Sequence, residues 1–317
     1  MTFKEELLYD FDEFVSYRKS AGFSVDTYKS SVPPFLRFCG DYYPRGTVIT
    51  EEMISAWFAR NTYSINSKAT FISMMRRYTQ FRMFLGKDDV FLDEDYSINR
   101  TSYVPFMFKD DELSTFFDAI DNYTGTGSGK KLMPELVLPV YTRFLYCCGM
   151  RPQEPPSLLA EDVNLETGDI YIRKAKRHKD RHLIISEDMR TLCKAYDSLA
   201  GRRKWFFQRP DGVPYDRKWY YRAFISIWNK CSFDRSEKPR PYDLRHAFAS
   251  RSILRWVESG KDVTEMLTYL SAYMGHAEIT STLYYVHLLP HNLRKAVKVD
   301  WNLLASVYED GGDLHED

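Results

Sequence analysis

Cysteine is scarce in this sequence: five in 317 residues, none of them in a C-x-x-C spacing. That excludes a disulfide framework and argues against a structural zinc site. The thiols are expected to be small buried groups in a reducing compartment. Long apolar runs are also missing, and none approaches the ~18–20 residues that a bilayer-spanning helix needs. The opening MTFKEELLYDFDEF is acidic where a secretory signal would be basic and then apolar. Together these absences predict a soluble, cytoplasmic protein without a membrane partner. There is no Gly-rich phosphate loop with a following Lys, so no ATP site is expected. His287 and His291 stand four apart, but the Glu of an H-E-x-x-H motif is missing, so neither a metal nor a cofactor is expected. Disorder is excluded by composition, with 44% hydrophobic and 28% charged residues.

Net charge is absent as well, 44 basic residues matching 44 acidic ones. The distribution is uneven, and phosphates respond only to charges within a Debye length of ~8–10 Å. Residues 1–109 carry 14 of each sign, whereas residues 110–308 carry 30 basic against 25 acidic. The last nine residues hold Glu309, Asp310, Asp313, Glu316 and Asp317 with no Lys or Arg. A moderately basic body is masked by an acidic tail, which is expected to be disordered.

What the chain does have is helical periodicity. Leu7, Leu8, Phe11, Phe14 and Val15 share one face of a helix from Lys4 to Lys19 that Gly22 ends. Ser24 or Asp26 is expected to cap a second helix, which the Pro33-Pro34 pair should delay or kink. Thr50 opens a third helix, Met53 to Arg60. A fourth runs from about Ser67 to Gly86, carrying Lys68, Arg76, Arg77 and Arg82 without a carboxylate. The fourth is either a solvated face or a helix turned toward a nucleic-acid groove.

An acidic, aperiodic stretch over 88–109 reads as a linker. Helices resume with Asp111 to Tyr123 and Pro134 to Cys148. A short β-hairpin follows, formed by 168–173 and 182–185. Helices then dominate from Ser186 to Leu304, interrupted near 210–214 and 238–241. The expected fold is mainly α with a small β-hairpin or sheet, an α+β chain.

Four features of the second half stand in a fixed order. Arg151 lies in Gly149-Met-Arg-Pro-Gln-Glu154. A basic loop, Arg173-Lys-Ala-Lys-Arg-His-Lys-Asp-Arg181, joins the two strands. Tyr242-Asp-Leu-Arg-His246 opens a helix, and Gly275-His276 is followed nine residues later by Tyr285. Singly, each has an ordinary explanation: a surface ion pair, a solvated hairpin tip, a helix start, a turn before a core stripe. Together, Gly-x-Arg-x-x-Glu, a hairpin Lys, Leu-Arg-His and Met-Gly-His-x-x-Ile-x-x-Thr-x-x-Tyr resemble the tyrosine recombinase, or phage integrase, family across essentially the whole chain.

The resemblance implies an N-terminal core-DNA-binding helical (SAM-like) domain at 1–87, a linker at 88–109, a catalytic domain at 110–308 and the tail at 309–317. It implies in-line attack of the Tyr285 oxygen on a DNA phosphodiester, giving a 3′-phosphotyrosyl link and a free 5′-hydroxyl. Arg151 and Arg245 would grip the non-bridging oxygens, which suits a permanently charged, two-pronged guanidinium. His276 would hydrogen-bond a phosphate oxygen, and Glu154 would support the Arg151 loop. Lys176, five residues before Arg181, would protonate the leaving oxygen, with Lys174 and Lys179 as rivals in the same loop.

One position departs from the family pattern. Tyr242 stands where a His or Lys is usual, and a phenol is a poor base at neutral pH. His246 lies close by in sequence as another acceptor for the nucleophile's proton. The implied partners are double-stranded DNA with paired half-sites, a homotetramer on that DNA from a monomer in solution, and a directionality factor. Basic segments 201–209 and 217–222 add phosphate contacts. A helix from Leu293 to Val307, with Val297, Trp301 and Leu304 on one side, would dock on a neighbouring protomer or on its own.

The expected function is site-specific recombination that integrates or excises a mobile element, by a simple two-domain enzyme lacking an arm-site domain. Xer-like chromosome or plasmid dimer resolution, a catalytically silent DNA-binding relative and a type IB topoisomerase are the alternatives.

Overall fold

The computed structural model describes residues 1–92, 98, 99, 101, 103–124, 133–175, 179–276 and 278–287. The chain divides into two compact units, Met1–Val104 and Pro105 onward.

Among its described residues the first unit has four helices: α1 (Phe3–Ser20), α2 (Asp26–Tyr42), α3 (Glu51–Arg60) and α4 (Ile65–Phe84). Thr2, Thr50 and Ser64 cap α1, α3 and α4 by accepting a backbone N–H three residues on, the usual way to satisfy a helix's first donors. The cap of α2 differs from expectation. Val25 holds that position with no side-chain bond, and Asp26 is the first helical residue. The Pro33-Pro34 pair does not delay α2, which begins seven residues before it and continues past it. Val32, Phe35, Leu36, Phe38 and Cys39 are all buried around the prolines, and that burial offsets the lost backbone bonds.

Arg82 is the largest departure in this unit. It is fully buried and pairs with Asp10, with Asp89 at 2.6 Å and with Glu6 at 3.6 Å. Asp89 also accepts from the backbone N–H of Ile49. Arg82 is therefore a structural ion and not part of a groove-facing surface. Arg76 donates to the carbonyl of Leu92 and Arg77 to the hydroxyl of Tyr28. Asp89 and Leu92 are buried in this unit, although they fall in the stretch read as linker.

The second unit places α5 (Asp110–Asp121), α6 (Met133–Cys147), α7 (Glu187–Ala200) and α8 (Arg217–Lys230) around one aromatic core. Within it Tyr141 and Tyr220 stack at 4.1 Å, and Phe116, Phe144, Phe206, Phe207 and Trp228 fill the space beside them. Phe106 and Phe108, from the far end of the same linker stretch, pack on Trp228.

The sheet has three antiparallel strands, one more than the expected hairpin: β1 (Val163–Asn164), β2 (Asp169–Ala175) and β3 (Lys179–Ile184). Both strands run further into the basic stretch than expected, β2 to Ala175 and β3 from Lys179, so Arg181 joins Arg173 as a strand residue. Ile172 pairs with Arg181 and Ile170 with Leu183. Cross-strand partners share a face, so the register turns Arg181 inward with the apolar residues, where it is buried.

The remaining helices, α9 (Pro241–Glu258), α10 (Val263–Met274) and α11 (Thr280–His287), form a second core around Ile253, Leu267, Leu270 and Tyr285.

Candidate active site

The site begins where α6 stops. Gly149 has φ +58°, and a Cβ there would stand 2.5 Å from the ring of Phe248 on α9. Glycine thus serves twice, supplying the left-handed turn and letting the chain press against α9. Two residues on, the Arg151 backbone N–H donates to Glu154 Oε2 at 2.8 Å, and its Nη1 donates to Glu154 Oε1 at 3.2 Å.

Helix α9 supplies the second guanidinium. Pro241 at the first helical position needs no N–H partner, and Asp243 accepts from the backbone N–H of Arg240 at 2.6 Å. Arg245, one turn in, has no exposed surface. It donates to the Gly149 carbonyl, to the Met274 carbonyl at 2.9 Å and to His276 Nε2 at 2.9 Å. Arg151 donates across to the Gly275 carbonyl at 2.7 Å. Each arginine is held by the loop that carries the other side of the site.

Gly275 ends α10 in a left-handed conformation, φ +69°. A Cβ there would meet Cδ of Arg181 at 2.8 Å. Arg181 donates to both oxygens of Glu154, at 2.6 and 2.8 Å, and through Nε to the Tyr273 carbonyl at 3.1 Å. Three guanidinium groups therefore surround Glu154. Burial works against its charge, but the hydrogen bonds from Arg181 and the positive charges of Arg181, Arg245 and Arg151 hold its carboxyl below the usual range. Arg151, Arg181 and Arg245 together carry two more positive charges than Glu154 cancels. For Arg151, burial and then the Arg245 charge lower the guanidinium's pKa. An excess of buried positive charge favours an anionic ligand.

Two imidazoles sit beside the arginines. Burial, reinforced by Arg245, Arg151 and Arg181, pushes His276 down to about 2. Burial, then Arg245 and Arg240, pushes His246 down to about 3. Both are neutral at physiological pH. Tyr285, on α11, has no exposed surface. Its ring stacks on His276 at 6.1 Å and 18° and lies 5.5 Å from His246. Tyr242 packs on His246 at 5.0 Å, and Tyr284 reaches the same imidazole at 6.3 Å. The i, i+4 spacing of Tyr242 and His246 puts both on one face of α9.

Of the sequence-predicted residues, Arg151, Arg245, His276 and Tyr285 come together here, with Tyr242 joined to them through His246. Lys176 lies outside the described residues, as do the helix expected at 293–307, His291 and the acidic tail. Lys174 falls in β2, and Lys179 opens β3. Glu154 braces the Arg151 loop. The sequence reading missed two residues. Arg181 was only a register mark for Lys176, yet the alternation of β3 places it inward. Thr282 lay inside the Met-Gly-His motif, and its side chain accepts or donates a hydrogen bond with His276 Nδ1 at 2.7 Å. Among the described residues no group of His, Cys, Asp and Glu is arranged to hold a metal ion, and no helix is long and apolar enough to cross a membrane.

The phage integrase family model matches residues 107–292. The chain is 23% identical to the putative integrase/recombinase y4rE of Sinorhizobium fredii, over 87% of this chain and 89% of that one. It is 25% identical to the tyrosine recombinase XerD of Pseudomonas putida, over 76% and 77% respectively. Among solved structures, the Tn1549 transposon integrase in complex with transposon right end DNA shares its fold, with a TM-score of 0.66 at 14% identity over 96% of this chain and 100% of that one. A lambda integrase dimer bound to a core site gives a TM-score of 0.63 at 14% identity, covering 90% and 95%.

Proposed function

This chain belongs to the phage integrase family, the tyrosine recombinases, and on that footing we propose that it is a site-specific recombinase that cuts and rejoins DNA through Tyr285. The observation that carries the reading is the meeting of Arg151, Arg245 and His276 in a buried, positively charged cluster with Tyr285 stacked against it.

A phosphodiester is already anionic, and the transition state for its displacement gathers more charge on the non-bridging oxygens. Arg151 and Arg245 receive that charge, replacing their present carbonyl partners with phosphate oxygens. Preorganised donors of this kind each lower a barrier by ~2.7–4 kcal/mol. The Tyr285 oxygen attacks phosphorus in line, the sugar 5′-oxygen leaves, and Lys176 protonates it. The phenol's proton goes to a neutral acceptor. His246, packed on the Tyr285 ring, supports an imidazole in that role beside or in place of Tyr242. The 3′-phosphotyrosyl bond conserves the energy of the broken ester, so rejoining needs neither ATP nor metal.

We assign the first unit, with the basic segments 201–209 and 217–222, to DNA binding, chiefly through phosphates. Recombination proceeds in a homotetramer on two paired sites, assembled from monomers, and the biological role is integration or excision of a mobile element.

The test uses duplexes taken from DNA flanking the gene, nicked so that the cleaved strand diffuses away. A covalent protein–DNA adduct that forms with the wild-type chain and vanishes in Tyr285→Phe is the expected result. DNA binding without any adduct would mark a silent accessory protein. Relaxation of plasmids without site dependence would mark a topoisomerase.

A further inference from the structure

The hydrogen bonds of His276 define its tautomer. A guanidinium has only donors, so His276 Nε2, 2.9 Å from Arg245 Nη2, must present its lone pair. The neutral ring then carries its hydrogen on Nδ1 and donates it to Thr282 Oγ1, 2.7 Å away. In this state Nε2 cannot donate to anything.

The role proposed above requires the opposite. To hydrogen-bond a phosphate oxygen, Nε2 must carry the proton. Gaining a second proton is opposed by burial and by three neighbouring guanidinium groups. The other route moves the hydrogen from Nδ1 to Nε2, leaving the ring neutral. Nδ1 then needs a donor, and a buried acceptor left unmatched is costly. A threonine hydroxyl meets both demands, because it accepts through a lone pair and, after rotating about its C–O bond, donates through its hydrogen. Thr282 is fully buried. It also lies three residues before Tyr285, one turn away on the same face of α11.

We propose that Thr282 is a positioning residue that allows His276 to exchange tautomers, accepting from Nδ1 in the free protein and donating to Nδ1 once a phosphate draws Arg245 away and takes a hydrogen bond from Nε2. The proton that leaves Nδ1 passes to water and Nε2 takes one from water, so charge and hydrogen count on the ring are unchanged. Because α11 carries both Thr282 and Tyr285, the state of the imidazole is tied to the placement of the nucleophile. This inference rests on the recombinase reading for its DNA-bound half and on geometry alone for its free half.

The experiment follows the imidazole nitrogens of His276 by long-range proton–nitrogen NMR in the full chain, assigned by loss of the signal in His276→Gln. In the free protein Nδ1 should carry the hydrogen. In Tyr285→Phe bound to an uncut duplex from the gene's flanking DNA, Nε2 should carry it. Thr282→Val, nearly isosteric, should leave the hydrogen on Nδ1 in the free protein, where Arg245 still claims the Nε2 lone pair, weaken the shift to Nε2 on DNA in the Tyr285→Phe background, and slow adduct formation by the wild-type nucleophile roughly tenfold, the effect of one hydrogen bond. Thr282→Ser should restore both, and thermal unfolding identifies any variant that fails to fold. Nε2 protonated in the free protein overturns the proposal, as does Thr282→Val with unchanged DNA-bound nitrogen signals and an unchanged adduct rate. Nitrogen signals that do not change on DNA binding overturn the exchange. Failure of the wild-type chain to form an adduct on any flanking duplex overturns the recombinase reading instead, while the free-state signals still decide the Thr282 contact.

Discussion

The carboxylate of Glu154 grips Arg181 with both oxygens, at 2.6 and 2.8 Å. The pair joins the loop after α6 to strand β3, and the same carboxylate holds the backbone N–H of Arg151. Glu154 is thus the common anchor of two arginines that would otherwise repel each other.

Replacing Glu154 by Ala leaves buried guanidinium groups without their counter-ion. The expected loss is ~3–5 kcal/mol, measured by chemical denaturation of the full chain as the transition that buried Trp228 fluorescence reports. Glu154→Gln, which keeps the shape and loses the charge, should fall between Ala and wild type.

Acidification should destabilise the second unit well above the usual carboxylate range. Folded His276 and His246 stay neutral down to about 2 and about 3, while in the unfolded chain a His protonates near 6.5. Between those values the unfolded state binds more protons, so stability is full above pH 6.5 and falls as pH drops. Each histidine contributes a slope of up to ~1.4 kcal/mol per pH unit. Glu154, held below 4.5, adds to the loss only as pH falls through that value. Urea midpoints at pH 7, 6 and 5 should fall together, and His246→Gln should remove about half the slope between pH 6 and 5.

Gly275 and Gly260 make an internal control. Both are left-handed, at +69° and +68°, but a Cβ at Gly260 meets nothing within 4 Å whereas one at Gly275 would stand 2.8 Å from Arg181 Cδ. Alanine at Gly260 should cost ~1 kcal/mol, the backbone strain alone. Alanine at Gly275 should cost more and should slow adduct formation, because it displaces Arg181 from the carboxylate that braces Arg151. Equal effects of the two variants would contradict this account.

Arg82 should behave as a structural residue. Arg82→Ala leaves Asp10 and Asp89 buried without their partner and should lower stability by ~3–5 kcal/mol. Hydrogen exchange should speed up in α1 and α4. Under conditions where the variant remains folded, the salt dependence of DNA binding should keep its slope, since that slope counts the phosphates neutralised.

These contrasts show where the sequence is informative. Thr50 and the nine-residue interval from His276 to Tyr285 are local signals, set by helix capping and register, and a single chain displays them. Pro33-Pro34 misleads because the burial of Phe35 and Leu36 is a tertiary effect that outweighs a local penalty. Arg82 misleads more deeply: a basic residue on an aromatic helix looks the same whether it meets solvent, phosphate or a carboxylate 72 positions away. Glu154 lies 27 residues from Arg181 and Gly275 lies 124 from Arg151, beyond the reach of any periodicity. The inward turn of Arg181 was within reach, since Arg181 and Leu183 alternate with the exposed Asp180 and His182.

Residue 285 has no surface facing bulk water. Its ring lies against two imidazoles and a second phenol, so the nucleophile proposed above is shielded, and its attack on a strand would require that enclosure to open. On the role proposed for Tyr285, a stray encounter with duplex DNA would leave no nick, and the frequency of cutting would be governed by whatever binding event opens that enclosure.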